Sequence, residues 1–288
     1  MRKLLNIAFV TFLLIVSWAV FQSNDSRLAA ADYGDRLFLS HQHDRPIASA
    51  AVEQAPARPV ETQRVTYGTV DGKPITGYLA RPADATEPLP GLIVIHEFWG
   101  LNENIEAMTQ RLAGEGYTAL AVDLFGQVAD TPEAARAQVQ AVSQTPQLLQ
   151  ENLRQAYQYL ETEQQATQIG SIGWCFGGSW SLQTALLFPD QLNATVIYYG
   201  SQLVTDPAQL RSLEVPILGL FGALDTNPSV KKVREFESAL KSLGKSVEVH
   251  IYDGANHAFA NPSGTRYNAE AAEDAWRRAI AFLNEHLK

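Results

Sequence analysis

The chain alternates short, wholly uncharged runs with stretches of helical spacing, and this alternation limits the folds open to it. Gly91–Ile95 and Thr118–Val122 each hold five consecutive residues without a charge. A strand with one wet face alternates polar and apolar residues. A run that is apolar throughout suits a strand buried on both faces of a mostly parallel sheet. Between these two, Asn102–Glu115 places Ile105, Met108 and Leu112 on one side and stops at Gly114 and Gly116. The pattern then repeats. Helices are expected at Pro132–Ser143, Gln147–Glu163, Gly177–Phe188, Val230–Leu243 and Glu270–His286. Strands are expected at Ile169–Gly173, Thr195–Tyr199, Ile217–Phe221 and Val247–Tyr252. Ahead of them, Val65–Val70 and Pro74–Leu79 flank Asp71-Gly72, a hairpin turn signal. Strand–helix alternation with short links implies an α/β fold: a mostly parallel, doubly wound sheet with helices on both faces. Element order alone does not separate a Rossmann-like sheet from other doubly wound folds.

The first sixty residues carry a different message. Arg2 and Lys3 precede an apolar run from Leu4 to Phe21, interrupted only by the uncharged Asn6, Thr11 and Ser17. Residues 1–23 therefore read as a signal peptide or, at ~20 apolar residues, a retained membrane anchor. Ala29–Ala31 offers small residues for cleavage. Either case sends the rest of the chain out of the cytoplasm, as a periplasmic or secreted protein. Residues 24–60, punctuated by Pro46, Pro56 and Pro59, read as a flexible linker. His41, His43 and Asp44 lie close together there, but without a rigid frame they read as solvated residues rather than metal ligands. The folded domain is expected over residues 61–288.

Charge and cysteine content remove several function classes. Twenty-two basic residues face 31 acidic ones, a formal charge of -9. That balance argues against nucleic acid or an anionic membrane surface as partner, leaving the amino-terminal segment as the only membrane contact. The single cysteine, Cys175, rules out an intrachain disulfide and every multi-cysteine metal site. No phosphate loop or flavin box is present, so no cofactor and no metal are expected, and the chain reads as a monomer.

The chemistry concentrates at Gly173-Trp174-Cys175-Phe176-Gly177-Gly178, after an expected strand and at the start of an expected helix. Gly-x-nucleophile-x-Gly in that setting is a nucleophile elbow. The turn is crowded, so its flanking residues cannot carry bulk. The amino-terminal amides of the helix favour thiolate over thiol. A nucleophile needs a base and a group to orient it. Asp225 follows the next-but-one strand and His257 the strand after that. The loops beyond the carboxyl ends of parallel strands share one rim, where Cys175, Asp225 and His257 can meet. Glu97, in the loop after the first buried strand, joins the same rim. The segment His96-Glu97-Phe98-Trp99-Gly100 is no zinc motif, because Gly100 stands where a second His is required.

These motifs, with Asn256-His257-Ala258-Phe259, resemble the dienelactone hydrolase family of α/β-hydrolases from about Val65 to the end. The resemblance implies a Cys175–Asp225–His257 triad that cleaves a small ester or lactone. It implies that Glu97 holds the resting thiol and that the N–H groups of Phe176 and Phe98 form the oxyanion hole. Trp99, Tyr199 and Asn261 are candidates for substrate contact, with core packing the competing role for Tyr199. Members that degrade chloroaromatics carry Ser and Arg where this chain has Ala258 and Asn261, so a carboxylated lactone lacks its expected Arg partner. Rival readings are a carboxylesterase or peptidase-like enzyme on the same fold, and a catalytically silent binding protein of the cell envelope.

Overall fold

The computed structural model describes residues 32–44 and 54–288. The apolar run and the small residues after it lie outside these. Among the described residues no helix is long and apolar enough to cross a membrane.

A helix at 32–41, α1, comes first. Strands β1 (Val60–Val70) and β2 (Lys73–Pro82) form the hairpin, turning at Asp71 and Gly72 with φ of 49 and 71°. Two positive φ values in a two-residue loop match the twist of the flanking strands. Then follow β3 (Gly91–Ile95), α2 (Glu103–Gly114), β4 (Thr118–Val122), α3 (Pro132–Ser143) and α4 (Pro146–Thr162). The second half holds β5 (Ile169–Trp174), α5 (Phe176–Leu187), β6 (Ala194–Tyr198), α6 (Pro207–Leu210), β7 (Ile217–Gly222), α7 (Val230–Ser242), β8 (Val247–Tyr252) and α8 (Ala269–Leu287).

The eight strands form one sheet in the order β1-β2-β4-β3-β5-β6-β7-β8. The first two pairings are antiparallel and all others parallel. Strands β3 to β7 are buried along their whole length, as their uncharged sequences require. Helices cover both faces. Gly91 of β3 lies against Leu160 of α4. Its neighbour Leu92 and the paired Gly170 point the other way, toward Leu287 of α8. Asn102 caps α2 by accepting from the Ile105 N–H, and Thr131, Ser229 and Asn268 cap α3, α7 and α8 in the same manner.

One expectation fails here. Residues 32–44 are not a flexible linker. Tyr33, Leu37 and His41, spaced by four, form one face of α1 and are buried to within 1%. The Tyr33 hydroxyl donates to Ser179 Oγ at 3.4 Å, and Arg136 of α3 pairs with Asp35. The folded unit therefore includes α1 as well as the chain from Val60.

Candidate active site

Strands β3, β5, β6, β7 and β8 are successive neighbours, and each delivers a site residue just beyond its carboxyl end. Cys175 sits between β5 and α5 with φ 55 and ψ -112°. That conformation is strained for a residue with a side chain and persists only where surroundings enforce it. The Cys175 N–H donates to the Tyr198 carbonyl, and its carbonyl accepts from Ser179. A Cβ on Gly173 would come within 2.2 Å of the Gly177 carbonyl oxygen, and one on Gly177 within 2.2 Å of that of Ile95. Those two contacts explain the glycines of the motif. Tyr199 and Ala258 on the same rim also have positive φ, 37 and 58°.

The expected trio meets. His257 Nε2 lies 3.2 Å from Cys175 Sγ, and His257 Nδ1 lies 2.8 Å from Asp225 Oδ2. All three side chains are buried. Burial alone would raise the thiol pKa, but the charges of His257 and His41 outweigh it and bring Cys175 down to about 6. Burial would lower His257, but Asp225 and the thiolate raise it to about 10. Both shifts favour a thiolate facing an imidazolium. The first amide of α5, that of Phe176, adds helix-terminal positive potential beside it.

A second imidazole stands on the same sulfur. His41 Nε2 is 3.3 Å from Sγ, and His41 Nδ1 is 2.8 Å from Asp44 Oδ2. Asp44 also accepts from the Thr265 N–H and hydroxyl and from Arg266 Nη2 at 2.7 Å. Its burial opposes ionisation, but His41, Thr265 and Arg266 hold it well below the usual carboxylate range. His41 is raised despite burial, chiefly by the Cys175 charge and Asp44. The reading of His41 and Asp44 as solvated residues is therefore wrong, whereas His43 is exposed as expected. The signal that marks them is the Tyr33, Leu37, His41 spacing, one face of a short helix. Cys175, His41 and His257 present donor atoms within 4.8 Å of one another, a set able to hold a soft divalent ion; among the described residues it is the only such cluster.

Glu97 reaches the rim but is not bonded to the thiol. Its Oε1 accepts from the Tyr199 hydroxyl at 3.0 Å and its Oε2 from Asn261 Nδ2 at 2.6 Å. Burial first, and the thiolate charge second, raise its pKa to about 7. The expectation that Glu97 holds the resting thiol gives way to two imidazoles doing so. Asn261 likewise differs from a free substrate anchor: its Oδ1 accepts from the Ser263 N–H and hydroxyl while its amide holds Glu97. Tyr199 is wholly buried and serves Glu97. Trp99 is buried edge-on to His41, and its Nε1 has no hydrogen-bond partner among the described residues. Phe98 stacks on His41 with centroids 4.9 Å apart. His96 fixes the loop: its Nε2 accepts from the Leu124 N–H, so its Nδ1 carries the proton shared with the Glu97 carbonyl.

A mostly parallel eight-stranded sheet, with a strained thiol elbow and an Asp–His pair from later strands on the same rim, defines an α/β-hydrolase. The sequence matches the model of the Dienelactone hydrolase family over residues 75–287, and the chain belongs to that family. Relatives include a candidate carboxymethylenebutenolidase of Saccharolobus solfataricus, 33% identical over 256 residues, covering 76% of this chain and 96% of that protein. A protein of the same description from Escherichia coli K12 is 30% identical over 229 residues, covering 75% and 84%. Among solved structures, a candidate dienelactone hydrolase of Klebsiella pneumoniae superposes with a TM-score of 0.70 at 28% identity, covering 79% of this chain and all of that one.

Proposed function

We propose that the chain is a thiol hydrolase cleaving a small carboxylic ester or lactone, with Cys175 as nucleophile, His257 as acid–base and Asp225 as its orienting partner. The observation that carries this reading is the unbroken line Asp225–His257–Cys175 at 2.8 and 3.2 Å on a buried elbow. The sulfur attacks the carbonyl carbon, and His257 gives its Nε2 proton to the departing oxygen. His257 then takes a proton from water, which hydrolyses the thioester. Asp225 keeps the proton on Nδ1 throughout. Phe176 and Phe98 supply backbone N–H groups to the oxyanion, each such donor being worth about 3–4 kcal/mol in the transition state. Trp99 offers a spare indole N–H to the substrate.

An uncharged substrate suits this rim. Arg266 is bonded to Asp44 and Asn261 to Glu97, so neither is free to replace the water lost by a substrate carboxylate. The reaction takes place outside the cytoplasm if residues 1–23 export the chain. The test is a panel of esters, lactones and amides with wild type beside Cys175→Ala. Turnover of esters or lactones that vanishes in the variant supports the reading. Preference for amides favours a peptidase-like enzyme. No turnover at all leaves the silent envelope protein.

A further inference from the structure

The family match begins at residue 75, so α1 and the His41–Asp44 pair lie outside it. Around the sulfur, however, this pair nearly duplicates His257–Asp225. The Nε2···Sγ distances are 3.3 and 3.2 Å, and both Nδ1···carboxylate distances are 2.8 Å. The two rings stand edge-to-face at 5.2 Å. Asp44 is held from outside its own segment, by Thr265 and Arg266 of the loop that follows His257. A histidine buried for packing alone requires no carboxylate fastened by two other residues.

We propose that His41, oriented by Asp44, is a second catalytic imidazole, whose task is to receive the thiolate expelled when the acyl-enzyme is hydrolysed. This rests on the thiol-hydrolase reading above. In acylation the S–C bond forms, the carbon–oxygen bond to the leaving group breaks, and the proton goes from His257 to the leaving oxygen. In deacylation His257 takes a proton from water. The water oxygen bonds the carbonyl carbon, and the S–C electron pair returns to sulfur. At that moment His257 faces the attacking water. His41 keeps its proton through both steps and presents it to the sulfur as charge arrives. A charge-assisted hydrogen bond makes the thiolate a better leaving group. Only His257 changes its protonation state, and the cycle closes without a further proton.

The experiment uses the full chain, p-nitrophenyl acetate and EDTA, the chelator keeping stray metal off the three donors. Wild type, His41→Phe, Asp44→Asn and Cys175→Ala are compared by stopped-flow and steady-state kinetics. His41→Phe fills the space and still stacks on Phe98. It is expected to show a burst of p-nitrophenolate near one equivalent, with kcat lower by about 10- to 100-fold, the worth of a hydrogen bond to a charged group. Its kcat/KM, which reports acylation, should fall by about threefold at most. Asp44→Asn keeps the imidazole, so it should shift kcat in the same direction by less, even if His41→Phe folds poorly. Equal falls in kcat and kcat/KM without a burst would mean a structural role and overturn the proposal. Unchanged kinetics would do the same. So would a rise in both constants, the mark of a mere cover over the thiol. Cys175→Ala tests the underlying reading separately: if it stays active, that reading fails whatever His41 does.

Discussion

Substituting Glu97 by Gln should make the protein's stability respond to pH in a way that exposes the buried carboxyl. Glu97 is 5% exposed, and its pKa rises from 4.5 to about 7, through burial first and the Cys175 charge second. Native Glu97 thus holds its proton more tightly than unfolded Glu97. Between pH 4.5 and 7 the native state binds more protons, so its stability falls as pH rises through that window. The gap between the two values, at ~1.4 kcal/mol for each tenfold change in proton affinity, amounts to about 3 kcal/mol lost by pH 8. Gln carries no such dependence. Its oxygen can face the Asn261 amide while its own amide donates to the Tyr199 hydroxyl oxygen, so both neighbours stay paired. Asn261 keeps its orientation and its bonds from Ser263. The exchange therefore adds little that is independent of pH, and what it removes is the titration. Urea unfolding of both proteins from pH 4 to 8.5 reads this slope directly. Relative to wild type, the variant should gain about 3 kcal/mol across the window. A Cys175→Ser background, lacking the thiolate charge, should reduce the gain. A difference that stays flat with pH would refute the argument, because a carboxyl with an ordinary pKa would give that result.

Four other outcomes follow from the site. Alkylation of Cys175 by iodoacetamide, followed by mass spectrometry, should rise with a midpoint near the thiol's pKa of about 6, and His257→Ala should move that midpoint upward; a midpoint near that of a free thiol in wild type would contradict the ion pair. Asp225→Asn should lower kcat by about 10³- to 10⁴-fold on p-nitrophenyl acetate by releasing the His257 tautomer, and a drop below tenfold would exclude that role. Asn261→Arg places a guanidinium on Glu97, so it should flatten the pH dependence of stability rather than create a preference for carboxylated lactones; substrate competition and urea titration together decide. Residues 1–60 fused to a reporter active only outside the cytoplasm should give signal, and a well-expressed but silent fusion would count against export.

Much of the fold is legible because buried parallel strands leave uncharged five-residue runs that resist other readings. Gly91–Ile95 and Thr118–Val122 match those expectations residue for residue, and the half-buried edge strand Val247–Tyr252, although it carries Glu248, also has its expected ends. Helix ends differ by a residue or so, as with Phe176, which opens α5 one residue before the expected Gly177. Cys175, Asp225 and His257 are legible because each directly follows a strand, and strand ends share a rim. The short α6 leaves too little pattern to be seen. His41 and Asp44 escape for a different reason. Their helix is short and far from any strand, and its four buried positions include a glycine and a histidine that hydropathy does not count as apolar. What buries His41 is a partner 134 residues away. The roles of Glu97 and Asn261 escape because hydrogen bonding between loops depends on angles that spacing does not encode.

The docking of α1 also bears on how this enzyme would be trimmed, or would diverge. Among the described residues, cutting the chain at Val60 takes away no strand; it removes α1 and the Arg58 hydrogen bond to the Gly114 carbonyl at the end of α2. The remaining polypeptide would keep its sheet and its elbow, and by homology alone it would pass for a whole enzyme. It would nevertheless leave Phe98 uncovered, Arg266 without its carboxylate and the sulfur with one imidazole instead of two. An appendage of this kind bears on the sulfur from outside the sheet, leaving the crowded glycines beneath the nucleophile untouched.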